Sequence, residues 1–187
     1  MALKTRLPRL AVVLGVLGLI PFVVTGVGAV GLDPVQIAQA LGSKLVPSVA
    51  VGLTMAPLDP AHSLVMLSAL MAYGAVILGF LGAVHWGLAL AVTEAGGTSG
   101  RLFLGVLPAL LGWGALLMNL SLPPEAGLGV LTAGFIAVML AESRAGRRAL
   151  LPAGYIWLRW VLSVVVVAVL STVLVLRLLD AHAHATG

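Results

Sequence analysis

Residues 73–90 read YGAVILGFLGAVHWGLAL, eighteen positions without a formal charge, set with small residues and carrying an imidazole beside an indole near the end. A run this apolar and this long is the signature of a membrane crossing. In hydrocarbon every backbone N–H and C=O must be paired within the segment or its partners, so the run is a helix. The rest of the chain agrees. Of 187 residues, 61% are hydrophobic and 9% charged, with a mean hydropathy of +1.18, whereas soluble domains carry about 25% charged residues. The long runs exclude the alternating strands of a barrel. We expect an all-α polytopic membrane protein, one integral domain over 1–187.

Outward from that stretch the spans follow in order. The first is expected over about 10–30, introduced by Lys4, Arg6 and Arg9, as a retained anchor because its run exceeds a signal-peptide core. Pro21 implies a kink in it. The second is expected over about 61–93, the third over about 102–122 with Pro108 inside, the fourth over about 126–141 and the fifth over about 157–179. Between the first two, LDPV at 32–35 and LDPA at 58–61 each place an Asp as N-cap and a Pro at the first helical position. The first of these predicts a short helix in the interface plane from Pro34 to about Leu41. Tyr155, Trp157 and Trp160 form an aromatic anchor at the start of the fifth span, beyond which the tail is expected to be loose.

Basic residues orient this bundle. With the N-terminus in and the C-terminus out, Lys4, Arg6, Arg9, Arg101, Arg144, Arg147, Arg148 and Arg159 fall inside, and only Lys44 and Arg177 fall outside. The net charge of +4 therefore reflects topology rather than affinity for nucleic acid. The chain has no cysteine, which excludes disulfides, thiolate metal sites and thiol catalysis.

Helices in lipid associate through small residues that let backbones approach. Ala75, Gly79, Ala83, Gly87 and Ala91 recur every fourth position on the second span and read as a packing row, either within the bundle or toward another membrane protein or a second copy. His85 stands off that row, on a face with Leu78, Leu81, Gly82 and Ala89, and Gly82 leaves space above its ring. A polar ring at that depth requires a hydrogen-bond partner. It reads as a structural histidine, with ligand or proton handling and haem or metal ligation as alternatives; no cofactor is expected. Trp113 on the third span reads as a packing group or a pocket wall, and Asn119 needs a bonding partner. Asp180, His182 and His184 resemble metal ligands by type but lie in the expected tail. Glu94 and Glu142 are expected at the inner edge, Asp33, Asp59 and Glu125 at the outer one, none of them buried.

GLIPF at 18–22, the 73–90 stretch, RLFLGVLPALLGW at 101–113 and PAGYIWLRW at 152–160 together resemble a bacterial inner-membrane family of unknown function that includes the mitochondrial transmembrane protein 69. That resemblance implies a five-span membrane protein, with Tyr73, Gly74, Gly82, His85, Trp86 and Gly87 at the family's signature positions. The family commonly has a serine between Leu78 and Phe80, where this chain has Gly79. The sequence points to a non-enzymatic accessory or assembly component acting through helix packing. The alternative is a binder or carrier of a lipophilic small molecule, with His85, Trp86 and Trp113 lining a cavity.

Overall fold

A computed structural model describes residues 9–31, 60–91, 98–147 and 153–186, and the described residues are all helix and turn. The expected interfacial helix at Pro34–Leu41 lies outside them. Helices α1 (Arg9–Leu17) and α2 (Leu19–Ala29) form one rod interrupted at Gly18. The interruption has a covalent cause: Pro21 has no N–H to offer the carbonyl of Leu17, four residues back. The rod ends at Gly31, whose φ of +72° is the left-handed conformation that glycine adopts freely. Helix α3 (Pro60–Ala91) follows, then α4 (Thr98–Met118), α5 (Pro124–Arg147) and α6 (Ala153–Thr186).

Four rods are long and apolar enough to cross a membrane: Arg9–Ala29, Ala61–Gly87, Pro124–Arg144 and Trp157–Ala183. The fifth, α4, has a shorter apolar part, Gly105–Met118. It runs antiparallel to α3 on one side and α5 on the other, so the five rods alternate in direction.

Three helices depart most from the bounds expected from sequence. Helix α4 begins at Thr98 and ends at Met118, four residues early at each end. Its last turn tightens into three-residue bonds, Asn119 N–H to Leu116 O (3.2 Å) and Leu120 N–H to Leu117 O (3.0 Å), because the Pro123–Pro124 pair ahead disfavours helix. Helix α5 continues six residues past Ala141, since Glu142 finds a cationic partner there. The tail after Leu179 is not loose but helical to Thr186, in keeping with its alanines, the best helix formers.

The core is built from stripes at alternating three- and four-residue spacing, the left-handed packing pattern. Helix α3 buries Leu67, Leu70, Met71, Leu78 and Leu81, α5 buries Leu128, Leu131, Phe135 and Val138, and α6 buries Val166, Leu170 and Val173. Phe22 of α2 enters between them, edge-on to Tyr73 (5.0 Å) and Phe135 (5.9 Å).

Candidate functional site

Helix α3 is the hub, touching α2, α4 and α5. Its contact with α4 is a seam of four positions. Ala75 faces Gly112, Gly79 faces Ala109, Gly82 faces Gly105 and Pro108, and Trp86 crosses Gly105 to donate its Nε1–H to the Leu102 carbonyl at 2.9 Å. A Cβ at Gly82 would strike the Gly105 carbonyl oxygen, and one at Gly105 would strike the Trp86 indole. At Gly82 a Cα–H lies in that direction instead and points at the Gly105 carbonyl, and at Gly105 it lies against the indole. The space beside Gly82 that the sequence leaves open is therefore filled by the α4 backbone.

The seam also departs from the expected small-residue row. A row at every fourth residue turns about 40° per step around a helix, whereas a straight partner is met at alternating fours and threes. Ala75 and Gly79 share both patterns. After them the seam moves to Gly82 and Trp86, while Ala83 and Gly87 are exposed, and nothing lies within 4 Å of a Cβ built at Gly87. Ala91 ends α3, with its side chain outside the described set.

His85 continues the buried α3 stripe and is 7% exposed. The small cleft it lines, about 60 Å³, is completed by Leu107, Pro108 and Leu111 of α4 and by α5 from Gly134 to Ala141. That volume suits one or two waters at about 30 Å³ each and is well short of the roughly 300–1,000 Å³ of small-molecule pockets. Trp113 is not a wall of it. Two residues beyond Leu111 the helix has turned about 200°, and the indole is 62% exposed on the outer face. Asn119 donates to Met71 Sδ at 3.3 Å. Tyr73 donates its hydroxyl to the Gly18 carbonyl at 2.9 Å, bonding the break in the first rod, and Gly74 beside it lets Leu131, Phe22 and Phe135 close in.

The groups that sequence reasoning missed are two ion pairs. Glu142, expected at an unburied edge, is 5% exposed. Arg159 donates to it through Nε (2.9 and 3.0 Å) and Nη2 (3.0 Å). At the opposite end of the same helix pair Arg177 Nε donates to Glu125 at 2.8 Å. Both arginines extend the three-four stripe of α6 through Ser163, Val166, Leu170 and Val173, and the glutamates flank the stripe of α5. That register was the available signal. In sequence it is masked by the topological role that charges at span ends also serve. Among the described residues no three His, Cys, Asp or Glu side chains come together as a metal site; His182 and Asp180 are exposed on the last turns of α6.

A family model described as a protein of unknown function, DUF3429, matches residues 7–175. The chain belongs to that family. No curated protein and no solved structure matches it. The DUF3429 match reaches from the residues before α1 to Val175 in α6, so it takes in part or all of each of the five rods and the Glu142–Arg159 pair, while Arg177 lies two residues beyond it. Within this DUF3429 chain the stretches that carried the resemblance meet one another. GLIPF meets Tyr73 and Gly74 at the kink, and Gly82 and Trp86 meet the 101–113 stretch along the seam.

Proposed function

We propose that this DUF3429 protein is a non-enzymatic accessory or assembly component of a bacterial inner-membrane complex, its N-terminus cytoplasmic, acting through helix packing on another membrane protein or a second copy of itself. One observation carries the reading. The small-residue row of α3 leaves the internal seam after Gly79 and comes out on the surface at Ala83 and Gly87, where a further helix backbone can approach closely. The orientation rests on the basic residues. Arg9, Arg144 and Arg159 stand near one end of the alternating rods and Arg177 toward the other. The alternative, a lipophilic carrier around His85, draws less support, since Trp86 is bonded to α4, Trp113 faces outward and the cleft is small.

Crosslinking of the full chain in its native membrane, followed by purification in mild detergent, tests the reading. A defined crosslinked species is expected, lost in Ala83→Leu and Gly87→Leu and retained in Ala69→Leu, an exposed position elsewhere on α3. A solitary monomer, or a crosslinked species indifferent to those two substitutions, overturns it.

A further inference from the structure

A second cavity, unconnected with the small-residue row, opens where the first rod breaks. Beyond Gly18, α1 leans on α6, with Gly15 against Leu158 and Leu162, rather than on α3. The gap this leaves is a cavity of about 150 Å³. Its apolar walls include Phe22, Leu81 and Phe135. Its mouth is flanked by Leu14 and Phe80, 58% and 65% exposed on the lateral surface of the bundle. Entry is therefore from the bilayer.

Two polar residues line this apolar chamber, Arg159 and Ser163, one turn apart on α6. Arg159 commits Nε and Nη2 to Glu142 and makes no hydrogen bond through Nη1 with any described residue. Ser163 is 5% exposed. Four other span hydroxyls, on Thr25, Ser68, Thr132 and Ser143, each donate to the carbonyl four residues back. Ser163 donates to no described residue, although a buried hydroxyl normally finds a partner. The chamber thus presents two unused donors, Arg159 about 9 Å and Ser163 about 15 Å along α6 from its first residue, in aromatic surroundings.

We infer that this cavity is a lateral binding site for the head ring of a lipid-soluble, quinone-class molecule: a six-membered ring bearing carbonyl oxygens, with an apolar tail leaving through the mouth into lipid. Size selects the ring, since a cavity of about 150 Å³ lined by Leu, Ile and Phe accepts benzene. The donors select an oxygen acceptor. Because Glu142 already balances the guanidinium, a neutral carbonyl suits the site better than an anion, whose desolvation would go uncompensated.

The test uses the full chain in phosphatidylcholine nanodiscs, with decylubiquinone as ligand and decylbenzene as the oxygen-free analogue, counting bound molecules per chain over empty nanodiscs. Saturable binding of one quinone per chain is expected, with decylbenzene about tenfold weaker or worse, as the loss of hydrogen bonds to two donors facing the cavity implies. Ser163→Ala should weaken quinone binding about five- to tenfold, and Ser163→Leu, which fills the chamber, should abolish it. Arg159→Lys keeps the charge beside Glu142 and removes the planar fork, with a comparable loss expected; should that variant not fold, the two Ser163 variants decide. Equal binding of decylbenzene would reduce the cavity to a niche for acyl chains and overturn the inference. So would binding unchanged in both Ser163 variants, or no saturable binding above empty nanodiscs.

Discussion

At the scale of single residues, glycines only five positions apart on α3 do opposite things. Gly82 sits with its Cα against the Gly105 carbonyl, and Gly87 faces open space. Gly82→Ala must push α3 and α4 apart, which overpacking data put at about 1–3 kcal/mol. Gly87→Ala meets nothing and should be neutral or stabilising by up to about 1 kcal/mol, alanine being the better helix former. Unfolding in detergent by SDS titration or heat measures both, and equal effects would contradict the seam. The sequence shows Gly82 as a point of close approach, as any glycine inside a helix suggests, but not what approaches. Read beside His85 it looks like room for a ligand. Only the register of α4 against α3 reveals that a backbone fills it, and register across two helices is a property of neither alone.

At the scale of elements, α5 and α6 form an antiparallel pair closed at both ends by Glu–Arg bonds that prolong the apolar stripes. The two closures are not equal. The side chains of Arg159 and Glu142 are 14% and 6% exposed, those of Arg177 and Glu125 25% and 16%. Removing one partner of the more buried pair strands a charge, so Glu142→Ala is expected to cost about 3–5 kcal/mol. Glu142→Leu combined with Arg159→Leu should recover most of that loss, because two apolar side chains need no compensation. A double-mutant cycle on detergent stability reads the coupling; additive losses would show that the two groups act separately. This part of the architecture was legible in principle from the spacing of Arg159, Ser163, Val166, Leu170, Val173 and Arg177. The pairing itself is hidden in sequence, since arginine at a span end has a ready topological explanation and partner identity depends on which helices are neighbours.

At the scale of the whole molecule, alternation of five rods brings the helix ends Ala91, Thr98, Arg147 and Ala153 to the side where Arg9 lies, and Gly31 and Pro60 to the side of Thr186. Reporter fusions in the three connections between those ends and at both termini should divide accordingly, with the first group cytoplasmic; both termini in one compartment would break the five-rod reading. Hydropathy made the number and order of helices legible, since long apolar runs in lipid admit little else. The ends were less so. Helix α4 stops early because of a proline pair beyond it, and α6 runs on because its tail is rich in alanine. The closures at the two ends of α5 and α6 also bear on biogenesis. Helix α5 leaves the ribosome first, carrying two carboxylates whose partners are still unsynthesised. A nascent chain halted before Arg159 would hold them in hydrocarbon unmatched, a state that insertion disfavours. The final two helices should then enter the bilayer as one event, and truncation between them should expose the product to degradation.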